Sequence, residues 1–226
     1  NESGIYIKSG EANIDQANGW TYTPKTKWGP GLVENISIYR NLVYENSQFG
    51  LAIREGGGGL FHGSFEDIYV VHNVFVDNGL FGVLVVLEDL ATTDSYSFEN
   101  IVIKNNIYAY NYADPASSFD GIQIRVEDFV ALSKGSSNTG FLSTLQMDYN
   151  LFTASSSSIG TNRIFFQRTY YTFSDFVLYN PNYEQNSLVG SPGFDSSSSY
   201  LYELHSLSKL IDEGIFSGVS HYDTGI

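Results

Sequence analysis

The sequence contains no cysteine. A disulfide framework and a thiolate metal site are both excluded, so the compartment has to be inferred from something other than redox chemistry. Basic residues are scarce. Eleven Lys and Arg stand against 25 Asp and Glu, giving a net charge of −14 and a pI near 4.4. A surface of that sign repels polyanions, which argues against nucleic acid or an anionic membrane as partner. Long apolar runs are missing as well: the longest, around Val83–Leu87, falls far short of a membrane span, and no signal peptide is visible. Helical periodicity is equally hard to find, so no helix of useful length is expected.

What is present is enough apolar material for one substantial core, 42% of 226 residues, with 15% aromatic. The organising feature is a repeat. Glu34–Ile53 reads ENISIYRNLVYENSQFGLAI, and Glu66–Val85 reads EDIYVVHNVFVDNGLFGVLV without a gap. A third copy begins at Glu99 and, after an insertion, closes with Gly121-Ile122-Gln123-Ile124. The copies align Ile36, Ile68 and Ile101; Asn41, Asn73 and Asn106; Asn46, Asn78 and Asn111; and Gly50, Gly82 and Gly121. A period of about 32 residues is the signature of a stacked repeat architecture.

Within each copy apolar residues alternate, as in Ile36-x-Ile38 and Leu51-x-Ile53, the period of strands with one buried face. One unit therefore reads as short strand, Asn-bearing turn, short strand, turn, short strand. A single unit cannot bury its own apolar side, whereas units stacked about 4.8 Å apart share one core. This predicts an all-β, right-handed parallel β-helix, a solenoid with long inserts at one corner: Lys8–Val33, Arg54–Phe65, Val86–Phe98 and Arg125–Thr144. Asn41, Asn73, Asn106 and Asn150 are expected to stack as a ladder, with Asn tolerating the left-handed conformation at the turn. A fifth, blurred unit draws on Ile164 and Phe166. The whole of 1–226 is expected to form one monomeric domain, with units and inserts to about residue 183 and a closing segment over 184–226. The chain opens on NESGIYI, which reads as the end of a repeat whose beginning lies upstream, as in a mature or trimmed fragment.

The closing motifs carry a family resemblance. Asp148-Tyr149-Asn150-Leu151-Phe152 is followed by Ser187 and Ser191-Pro192-Gly193-Phe194, then by Leu210-Ile211-Asp212-Glu213-Gly214 and Asp223-Thr224-Gly225. In these the chain resembles the carboxy-terminal part of secreted right-handed parallel β-helix proteins of the pectate-lyase-like kind, departing from them at Ser191 and Lys209. The resemblance implies a secreted or cell-surface, carbohydrate-active protein of glycoside hydrolase or polysaccharide lyase type. A non-catalytic polysaccharide-binding or adhesion module is the alternative.

Alternation points Tyr6 and Lys8, Ala52 and Arg54, Leu84 and Val86, and Gln123 and Arg125 outward. This outer row, walled by the inserts, is the expected groove. Lys8, Arg54 and Arg125 form a positive stripe suited to a carboxylated sugar, unless they merely neutralise Glu55 and Glu127. Trp20, Tyr22, Trp28, Phe61 and His62 border it and could stack on sugar rings or pack down as a lid. Glu88-Asp89 and Glu127-Asp128 lie at equal offsets from Val85 and Ile124, so parallel inserts would bring them to the roughly 5 Å separation of a retaining glycosidase pair. Crowded carboxylates could instead hold calcium, the one cofactor left open. The four histidines lack metal spacing, and His72 reads as a turn residue. A lyase would draw its base from Arg54 or Arg125.

Overall fold

The computed structural model describes residues 3–9, 32–55, 64–87, 98–111, 122–128, 141–153, 163–194 and 202. It is mostly β-strand. The strands in chain order are β1 (Ser3–Ser9), β2 (Leu32–Tyr39), β3 (Leu42–Tyr44), β4 (Phe49–Glu55), β5 (Ser64–Val71), β6 (Val74–Val76), β7 (Phe81–Leu87), β8 (Phe98–Lys104), β9 (Ile107–Ala109), β10 (Ile122–Asp128), β11 (Gln146–Asp148), β12 (Leu151–Thr153), β13 (Arg163–Phe166), β14 (Thr169–Thr172) and β15 (Leu188–Val189). One short helix, α1 (Phe173–Tyr179), follows β14.

Each repeat contributes one strand to each of three sheets. Sheet A runs β1-β4-β7-β10-β13-β14, sheet B runs β2-β5-β8-β11 and sheet C runs β3-β6-β9-β12-β15. Among the described residues all pairs are parallel except the hairpin β13–β14. The register is the sequence repeat itself: Ile36 lies beside Ile68 and Ile68 beside Ile101, while Phe75 lies beside Val43 and Tyr108 beside Phe75. Identical positions therefore stack on identical positions. Ile38, Leu51, Ile53, Ile68, Val70, Val83, Val85, Ile101 and Ile103 fill a common core, through which Phe75, Tyr108 and Phe152 stack with ring centroids 5.6 and 5.2 Å apart.

The corners are held by amide ladders. Asn41 donates its backbone N and Nδ2 to Asn73 Oδ1, both at 3.0 Å; Asn73 does the same to Asn106, and Asn106 to Asn150. Spare amide protons go to backbone carbonyls such as Ile38, Val70 and Ile103. Buried turn polar groups are thus satisfied by side chains rather than by water. The left-handed residue, however, is not the asparagine. Positive φ falls one position earlier, at Arg40, His72, Asn105 and Tyr149, so His72 is a turn residue as expected and Asn is retained for its amide alone.

Helix α1 was not legible in the sequence pattern. Its N-cap Thr172 accepts from Asp175 N at 3.2 Å, and it presses Phe176, fully buried, onto Phe166 at 5.3 Å and Tyr171 at 5.8 Å. The carboxy-terminal end of the core is closed in this way. Ile164 and Phe166 do enter the core as the sequence suggests.

Candidate functional site at the outer face of sheet A

In β4, Leu51 and Ile53 face the core, so Ala52 and Arg54 face out; β10 sends Ile124 and Val126 inward and Arg125 and Glu127 outward. Reading across strands, one row runs Tyr6, Ala52, Leu84, Arg125, Phe165 and Tyr170. At about 4.8 Å per step this row spans roughly 24 Å. Its ends are open aromatics, Tyr6 48% and Tyr170 42% exposed, whereas Ala52, Leu84 and Phe165 are buried in an outer apolar cluster with Phe81, Val86 and Ile122.

Arg125 is the polar centre of the row. Its guanidinium lies 4.9 Å from the Phe165 ring centroid and 5.7 Å from that of Phe81, and it forms an ion pair with Glu127. Glu127 is 2% exposed and Arg125 31%, so the carboxylate is enclosed and the guanidinium keeps an open edge. For Arg125 the alternative to a positive stripe holds: its charge is neutralised in place by Glu127, its neighbour two residues on.

The strand register corrects three further expectations. Val126, not Ile124, partners Val85; Glu127 therefore lies beside Val86 and Asp128 beside Leu87. The equal offsets that would have brought Glu88-Asp89 beside Glu127-Asp128 do not exist. Glu127 and Asp128 also point to opposite faces and form no pair: Asp128, fully buried, accepts from Leu142 N at 3.4 Å and helps raise the pKa of Tyr183, whose shift comes first from burial. Gln123 faces inward rather than outward. It stands where Gly82 stands in the preceding repeat, its carbonyl next to Gly82, and the insertion before β10 is the reason for the shift. Gly121, Glu88, Asp89, Trp20, Tyr22, Trp28, Phe61, His62 and the side chains of Lys8 and Glu55 lie outside the described residues. Arg54 is half-buried, and its position lies beside Lys8 on one side and Val86 on the other. Tyr170 escaped sequence reasoning because nothing in the repeat signals the β13–β14 hairpin, whose turn residues Gln167 and Arg168 both take positive φ.

A second polar cluster closes the first ladder. Asn150 Nδ2 reaches both carboxylate oxygens of Glu184 at 3.0 Å, Asn150 N donates to Ser187 Oγ at 2.8 Å, and Ser187 Oγ bonds Glu184. Burial pushes the Glu184 carboxyl up to about 8; the Ser187 and Asn150 bonds oppose that rise and the charge of Asp148 adds to it. Among the described residues no group of three or more His, Asp and Glu side chains could hold a metal ion. No helix of the described residues is long and apolar enough to cross a membrane.

The chain matches no family model, no curated protein and no solved structure.

Proposed function

We propose that this chain is an extracellular right-handed parallel β-helix solenoid that binds polysaccharide along the outer face of sheet A. The observation that carries this is the row from Tyr6 to Tyr170, with open tyrosine rings at its ends and a clamped guanidinium between them. Tyrosine faces stack on sugar rings while the hydroxyl edge stays wet, and an immobilised guanidinium offers fixed donors to sugar oxygens at little entropic cost. Neutral sugars fit better than uronates. The net charge is −14 and Arg125 is already neutralised by Glu127, so a polyanionic chain would meet repulsion with no free cation on this row to offset it. Retention on immobilised neutral polysaccharides, lost when Tyr6 and Tyr170 are replaced, is the test.

Cleavage, as in a glycoside hydrolase or polysaccharide lyase, is the second reading, and it is favoured by the enclosed Glu127 carboxylate beside Arg125. Glu127 would be the acid or base of such a reaction. Glu127→Gln then abolishes product release while glycan retention persists; equal loss of both would remove the catalytic role.

A further inference from the structure

We propose that the segment following β15 is a lengthwise strap that ties the stacked repeats into one cooperative unit, fastened by the hydrogen bond from Tyr202 to Asp77. Among the described residues, strand pairs and ladder rungs join each repeat to the next one, so the stack by itself is a row of nearest-neighbour interfaces. In such a row the repeats at one end can open without the rest. Tyr202 departs from that pattern. Its hydroxyl donates to Asp77 Oδ2 at 2.7 Å, across a separation of 125 residues, and its ring lies 5.7 Å from that of Tyr44. Tyr44 belongs to β3 and Asp77 directly follows β6, at the opposite end of sheet C from β15.

Local sequence seats and turns the segment. After β15, Gly190 N donates to the Phe152 carbonyl at 3.1 Å and Thr153 Oγ1 donates to the Gly190 carbonyl, which holds this end on β12. Ser191-Pro192-Gly193 then turns: proline fixes its own φ, Gly193 takes φ 67°, and Gly193 N donates to Ser191 Oγ at 3.2 Å. Phe194 comes next and meets the Tyr202 ring edge-on, with centroids 5.4 Å apart. Both rings pack against Val76, Ile107, Ala109 and Leu151, which lie on the outer side of β6, β9 and β12. Val76 and Ala109 are 0% exposed although they face away from the core, so the outer face of sheet C is covered at these repeats. From β15 to β3 the order of the sheet counts four steps, roughly 19 Å. Burial comes first in holding the proton on the Tyr202 hydroxyl, and the bond to Asp77 and the charges of Asp77 and Glu45 add to it, so the hydroxyl stays a donor. The inference is independent of glycan binding.

Hydrogen exchange at rising urea is the readout, compared between β6 and β12. In the parent protein the amides of both strands should exchange through one shared opening with the same urea dependence. Tyr202→Phe keeps the ring and removes the donor, so exchange in β6 should quicken about three- to tenfold while β12 changes less. Tyr202→Ala removes the ring as well and should split the two strands, with β6 opening at lower urea than β12. Tyr69→Ala, which takes a half-buried ring from β5 in sheet B, should leave them exchanging together. Separate openings of β6 and β12 in the parent protein, or a shared opening that survives Tyr202→Ala, overturns the proposal. The same split in Tyr69→Ala overturns it too, because general weakening of the stack would then account for the effect.

Discussion

Gln123 Oε1 accepts from Asn111 Nδ2 at 2.9 Å, and Gln123 Nε2 returns a bond to the Asn111 carbonyl at 3.2 Å. A glutamine on a strand thereby continues a ladder whose earlier rungs, Asn46, Asn78 and Asn111, are turn residues. Its longer side chain reaches into the corner where the next asparagine would have been.

Gln123→Ala removes the acceptor of the Asn111 backbone N–H and of one Nδ2 proton, the other still donating to the Phe75 carbonyl, in a fully buried corner. The expected cost is about 1–3 kcal/mol, the penalty of buried donors left unpaired. Urea unfolding measures it, and a change within error would mean that water or a neighbour replaces the glutamine.

Gly82→Ala tests the same corner from the opposite side. A Cβ there would sit 2.9 Å from Asn111 Nδ2, the Gln123 carbonyl and Tyr108 Cδ1, with backbone on one side and a stacked ring on another. Overpacking of this kind costs about 1–3 kcal/mol. A thermal midpoint equal to that of the parent protein would show that the corner can relax.

Glu184 sets a pH dependence with a definite sign. Its folded pKa, about 8, lies above its ordinary value of 4.5, so between these limits the folded state holds a proton that the unfolded state has lost. Stability contributed by this group is full below the lower limit, declines as pH rises through the window, and stops declining above about 8. The total decline is on the order of a few kcal/mol. Glu184→Gln keeps the amide partners of Asn150 and Ser187 without a charge, so the midpoint of this variant should stay flatter from about pH 5 to pH 8. Parallel curves for parent and variant would contradict the assignment.

The stacking of the chain was legible because the repeat is written in buried positions. Ile36, Ile68 and Ile101, or Asn73 and Asn106, can change little when each must fit the copy above and below. The site was only half legible. Tyr6, Arg54 and Arg125 follow from alternation, but alternation counts residues and cannot see where an insertion slips the register, which is why Gln123 was assigned to the wrong face and Glu127 to the wrong neighbour. The pairing of Arg125 with Glu127, two apart on one strand, was one of the two outcomes the sequence allowed, and only the geometry decides between them. Helix α1 and the β13–β14 hairpin lie where the repeat has faded, and their positions are dictated by the open end of the core rather than by any local period.

Electrophoresis through gels cast with a panel of neutral and uronate polysaccharides, comparing the parent protein with Tyr6→Ala/Tyr170→Ala, tests the glycan-binding row most directly. The account predicts retardation by at least one neutral polysaccharide and none specific to the uronates, with retardation weakened about three- to tenfold per tyrosine lost and the thermal midpoint lowered by no more than the loss of the Tyr170–Phe165 ring contact. Retardation by no member of the panel, or retardation that the double variant keeps in full, would contradict it.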